Sequence, residues 1–132
     1  MNGGWAASDE ACPTYEELIE NIMAGHAFLK KTFGITPKHA WHLDAFGHSA
    51  STPELFSRMG FETITFARMN DEERNYRFKQ KTLQFNWSPE FEGTNSSFQS
   101  KGSIFTNMLH KHYEPPCGLH VNTWGSGKVV LE

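Results

Sequence analysis

The chain has 132 residues, one domain's worth at most. A formal charge of −3 with no clustered Lys or Arg leaves no electrostatic footprint for nucleic acid or an anionic membrane surface. No stretch approaches the ~18 apolar residues of a membrane span, and the start, Met1-Asn2-Gly3-Gly4-Trp5, is neither basic nor apolar enough to be read as a signal peptide.

The first predicted element is a helix over residues 14–33. Thr14 is a good N-cap with Glu17 three positions on, which makes a capping box. Leu18, Ile19, Ile22, Met23, His26, Leu29 and Phe33 then recur at helical steps, and Gly34 with Pro37 ends the run. Residues 38–43 read as a strand that gives way to an Asp-Ala-Phe-Gly loop. Thr52-Pro53 opens a second helix, with proline at the first helical position, and Gly60 closes it. Residues 61–67 are rich in β-branched and aromatic side chains and form a second predicted strand. Asn70 and Glu73 cap a charged helix reaching Gln80, and residues 82–87 read as a third strand. Residues 88–102 read as a loop, residues 103–109 as a weak helix, and the tail from Tyr113 as irregular.

This alternation predicts an α/β fold with parallel strands joined by crossovers. A parallel sheet needs helices on both faces and more strands than this chain holds, so an incomplete domain is expected. Aromatic residues make up 14% of the chain, which suits a dense core, with some rings able to stack on a flat ligand face. Cys12 and Cys117 have no metal-type spacing, and a disulfide, free thiols or pairing elsewhere all stay open. Two glycosylation sequons, at Asn86 and Asn95, matter only in a secretory context.

The candidate chemistry lies in Trp41-His42-Leu43-Asp44-Ala45-Phe46-Gly47-His48-Ser49. On an extended strand His42 and Asp44 share a face. Asp44 stands at the carboxyl end of the strand, the rim where parallel α/β folds build their sites. A carboxylate there can bind a metal or attack a sugar carbon. Equally, Asp44 can start a turn while His42 packs in the sheet and His48 lies at the surface. Arg68 ends the next strand on the same rim and can hold an anion or a carboxylate, or simply be solvated. His110 and His112, two residues apart, are too little to define a zinc site. His26 falls on the apolar side of the first helix. No phosphate loop and no nucleophile elbow occurs.

Several blocks in order resemble glycoside hydrolase family 38, the α-mannosidases, and within it the lysosomal type. They are Asn2-Gly3-Gly4-Trp5, Asp9-Glu10-Ala11, Ala40 through Ser49, Met59-Gly60-Phe61, Phe66-Ala67-Arg68, Phe85-Asn86-Trp87, Ile104-Phe105-Thr106 and His112-Tyr113-Glu114-Pro115-Pro116. Residues 1–120 are therefore expected to be part of that family's catalytic domain, a section of a β/α barrel, with 121–132 as a non-matching tail. The resemblance implies that Asp44 is both catalytic nucleophile and zinc ligand. It also implies that Arg68 lies close to the nucleophile and Tyr113 near the substrate, a mannose-containing oligosaccharide or N-glycan. It gives His42 and His48 no assigned role. The implied reaction is retaining hydrolysis with two carboxylates about 5 Å apart and Zn2+ on the sugar hydroxyls, in a lysosomal or other secretory compartment.

Departures set limits on that expectation. Ala45 replaces the proline that follows the nucleophile in the family. The family's His-x-Asp zinc motif lies upstream of Asn2, and the general acid and a further zinc histidine lie beyond residue 132. Since a zinc site needs three or four protein ligands, the isolated chain is expected to be inactive. A partial domain with weak sugar binding is the alternative. Another zinc hydrolase on a similar barrel, such as a polysaccharide deacetylase, is a third that lacks the other blocks.

Overall fold

A computed structural model describes residues 2–89, 102–111, 119–121 and 129–131. Helix α1 spans Tyr15–Phe33, strand β1 His39–His42, helix α2 Thr52–Arg58, strand β2 Thr63–Phe66, helix α3 Asp71–Gln80, and strands β3 and β4 Gln84–Trp87 and Ile104–Met108. Two short strands, β5 (Leu119–Val121) and β6 (Val129–Leu131), pair antiparallel with each other.

The fold is mixed α/β around a four-stranded, mostly parallel sheet in the order β1-β2-β4-β3. Strand β2 pairs parallel with β1 and with β4, which makes β1 and β3 the edges. Three expectations are corrected here, the first being that the tail from Tyr113 is irregular, since β5 and β6 lie in it. Residues 103–109 are not helical: Ile104, Thr106 and Met108 alternate with the more exposed Phe105 and Asn107, and this period of two places β4 between β2 and β3. Strand β3 is not parallel; it runs antiparallel to β4, with Gln84 opposite Asn107 and Trp87 opposite Ile104. Antiparallel neighbours need no crossover helix between them. Among the described residues the sheet is open, and no helix is long and apolar enough to cross a membrane.

Local signals set the helix ends. Thr14 Oγ1 accepts from the Glu17 amide and the Glu17 carboxylate accepts from the Thr14 amide, so both halves of the capping box are made. Gly34, at φ 70°, ends α1 in the left-handed region. Because Thr14 satisfies an otherwise orphaned helix amide, Thr14→Ala is expected to cost about 1 kcal/mol. Urea unfolding followed by circular dichroism checks it. Helix α3 buries no residue and rests on Asn70 as cap, on Glu73–Arg77, and on Arg74 Nη2 donating to the Ala67 carbonyl at 2.7 Å.

The core is one cluster, with Ile22 from α1, Ala40 from β1, Phe56 from α2, then Phe61, Ile64 and Ile104. Phe56 and Phe61 lie ring on ring, with centroids 5.0 Å apart. Helix α1 contributes little to it: Ile22 and Gly25 are buried, whereas Met23, Phe28 and Phe33 remain exposed. The segment before α1 crosses the helix at Gly25. Asn2 donates its amide to the His39 carbonyl at 2.8 Å, and the Trp5 and Ala6 amides bond to Asn21. That crossing delivers Ser8, Asp9 and Glu10 to the carboxyl end of β1.

Candidate active site

Strands β1 and β2 are paired in register, with His42 opposite Phe66. Asp44 and Arg68 each follow those positions by two residues, so both lie on the same rim of the sheet. There Arg68 grips the carboxylate: its Nε donates to Asp44 Oδ1 at 2.8 Å, and Nη2 lies 2.6 Å from the same oxygen. The guanidinium also sits over the Phe46 ring, 4.3 Å from its centroid, which fixes the plane of the fork. Asp44 remains 57% exposed and Arg68 37%, so this pair orients a carboxylate rather than holding the fold together. A cavity of about 310 Å³ beside it is bordered by Ser8, Asp9, Trp41, His42, Asp44 and Phe46. A larger cavity, about 660 Å³ between Trp5, Phe28, Leu29 and Trp41, has no titratable side chain in its wall. The smaller one is therefore the candidate site.

His42 and Asp44 both border that cavity but differ in burial, with side chains 1% and 57% exposed. The strand ends at His42, one residue earlier than predicted, and Asp44 lies in the turn beyond the pleat. The alternation of β1 buries Ala40 and His42 together. His42 packs edge-on against Phe56, with centroids 5.1 Å apart. His48 is also drawn inward: its ring lies 4.2 Å from that of Phe66, and its Nε2 is 3.2 Å from the Arg68 carbonyl oxygen.

Glu10 joins these two histidines. Its Oε2 accepts from the Ser49 amide and from Thr52 Oγ1, and its Oε1 faces His42 Nδ1 at 3.6 Å. Burial pushes the Glu10 pKa up, but facing His42 and the Ser49 and Thr52 donors together hold it below the usual carboxylate range. Burial pushes the His48 pKa down, against the pull of the Glu10 charge and the Arg68 carbonyl. Glu10 is thus held as a carboxylate and His48 as a neutral imidazole near pH 7.

Residues 1–130 match the Glycosyl hydrolases family 38 N-terminal domain. The chain belongs to this family. An α-mannosidase from Arabidopsis thaliana is 39% identical over 119 residues, 89% of this chain and 11% of the relative. A lysosomal α-mannosidase from Dictyostelium discoideum is 34% identical over 120 residues (91% and 11%), and one from Bos taurus 35% identical over 133 residues (99% and 13%). The chain spans about a tenth of the length of the curated relatives it matches.

The described residues do not complete a zinc site at Asp44, which offers one carboxylate where three or four protein ligands are needed. Among the described residues the one cluster of three potential ligands is Glu10, His42 and His48. Tyr113, His112 and Cys117 lie outside the described residues, so their placement adds nothing here. Cys12 is an exposed thiol. His26 bonds to the Asn2 carbonyl and His110 stacks on Phe78. Glu10 was invisible to sequence reasoning as a site residue, because its partners Ser49 and Thr52 lie 39 and 42 residues away.

Proposed function

We propose that this chain is a section of the catalytic β/α barrel of an α-mannosidase that cleaves terminal α-mannosidic linkages in mannose-containing oligosaccharides or N-glycans. Asp44 is the nucleophile in this reading. The observation that carries it is the Asp44 carboxylate at the carboxyl-end rim, its Oδ1 held by two nitrogens of Arg68, in a chain of this family.

Arg68 holds the carboxylate aimed, so that it need not reorganise as the transition state forms. A carboxylate oxygen of Asp44 attacks the anomeric carbon as the bond to the leaving oxygen breaks. A second carboxyl group, contributed from outside this chain, protonates that oxygen. A covalent mannosyl ester results, and water hydrolyses it with the second group now acting as base. Tyr113 contacts the substrate in this reading. Zinc dependence belongs to the longer enzyme: Asp44 supplies one ligand, residues outside this chain supply the rest, and the 132-residue chain alone is inactive. Lysosomal or other secretory-pathway residence is supported by relatives that carry the name lysosomal.

The test uses an enzyme of the relatives' length that carries this section. It is expected to hydrolyse an aryl α-mannoside and to release α-mannose as the first product, followed by proton NMR during early turnover. Release of β-mannose first would mean that water attacks directly and that Asp44 is not a nucleophile.

A further inference from the structure

We propose that Glu10, His42 and His48 form a cation site of their own, separate from Asp44, that takes a divalent transition metal of the Zn2+ class. The bound ion clips the N-terminal segment to the end of β1 and to the loop before α2. This inference does not depend on what the chain hydrolyses.

One ligand atom from each residue lies within 4.8 Å of the others. Donors on a tetrahedral zinc ion stand about 3.4 Å apart, as metal–ligand distances near 2.1 Å require. The three side chains therefore need to close in by about an ångström on binding, within reach of small rotamer shifts. The donor set is also right: one carboxylate and two imidazoles suit zinc and its neighbours, with water completing the shell.

A second observation points to an absent ligand. The Glu10 and His42 side chains are only 4% and 1% exposed. Yet Glu10 Oε1, both ring nitrogens of His42 and Nδ1 of His48 have no hydrogen-bond partner. Four such atoms buried in one place are costly to leave without a partner. An ion pair between His42 and Glu10 answers for Oε1 and one nitrogen, at a separation of 3.6 Å that is long for a hydrogen bond. It leaves His48 Nδ1 unanswered. A cation answers for Oε1, one His42 nitrogen and His48 Nδ1 together.

The outer contacts fit the same reading. Nε2–H of His48 donates to the Arg68 carbonyl, which fixes the tautomer and presents the Nδ1 lone pair inward. The Ser49 amide and Thr52 hydroxyl occupy Glu10 Oε2, which leaves Oε1 facing the histidines. His42 borders the 310 Å³ cavity, which gives an ion a way in.

The experiment titrates Zn2+ into the metal-stripped 132-residue chain, labelled with 15N-histidine and followed by long-range proton–nitrogen NMR alongside circular dichroism. Expected is saturation at one equivalent for this site, with one nitrogen of His42 and one of His48 shifted as ligands. His48→Phe and Glu10→Gln are expected to weaken binding at least 100-fold, whereas Asp44→Asn leaves it intact. The unmodified chain carries the decisive reading, so a variant that fails to fold does not rescue the proposal. No shift at His42 and His48, shifts confined to other histidines, or loss of binding in Asp44→Asn would each overturn it. If the metal-free chain is unfolded, Zn2+ must fold it, since binding energy there is folding energy. Failure to do so also overturns the proposal.

Discussion

Asn in place of Asp44 is expected to lower the kcat of an enzyme of the relatives' length by about 10⁴-fold or more, since a carboxylate that forms the covalent intermediate has no substitute in an amide. The replacement keeps shape and volume and removes charge and nucleophilicity. Its structural cost is small for a stated reason: the Asp44 side chain is 57% exposed, and its pair with Arg68 is of the exposed kind worth about 0–1 kcal/mol. Thermal unfolding should therefore hardly move while turnover collapses. That split separates a reacting group from a turn residue. If Asp44 only starts the turn after β1, Asp44→Asn should leave turnover within a few fold, because asparagine serves turns equally well. Steady-state kinetics on an aryl α-mannoside, with Tm measured on the same samples, decides between the two.

What the sequence made legible follows the range of the forces involved. The capping box at Thr14, the Gly34 stop and the Asn70 cap involve residues within a few positions of each other, and all three stand where they were expected. Strand β4 was misread because five residues, Ile104–Met108, are too few to separate an apolar strand from a short helix by period alone. Its place between two strands comes from pairing with residues far away in the chain. The direction of β3 is non-local in the same sense. At the site, the common rim of Asp44 and Arg68 followed from two strand ends, and their contact is now seen. The burial of His42 depends on its packing against Phe56 of α2, which the pattern of β1 alone does not record. The place of Glu10 depends on how the N-terminal segment crosses α1, which no periodicity records.

That crossing makes Gly25 the position with the largest expected structural effect. An alanine inside a helix is ordinarily better than glycine by about 1 kcal/mol. At Gly25 the sign reverses, because an added Cβ would lie 2.0 Å from the Gly3 carbonyl oxygen, 2.4 Å from Gly4 C and 2.6 Å from the Trp5 nitrogen. These are backbone atoms and cannot swing aside, so the whole segment must lift off α1. Lifting breaks Asn2 to His39, Trp5 to Asn21, both bonds between Ala6 and Asn21, and His26 to the Asn2 carbonyl. At about 1 kcal/mol net for each, Gly25→Ala is expected to cost about 3–5 kcal/mol after the helix gain is set against it. Against typical domain stabilities of about 5–15 kcal/mol, that is a large fraction. Gly47→Ala is the control, since a Cβ there meets nothing within 4 Å. Urea unfolding measures the cost, and hydrogen exchange at the Trp5 and Ala6 amides locates it. Fast exchange there with α1 still helical means the segment has detached, and Glu10 is then drawn away from Ser49 and Thr52. Wild-type stability and slow exchange in Gly25→Ala would mean that the segment does not cross the helix at this glycine.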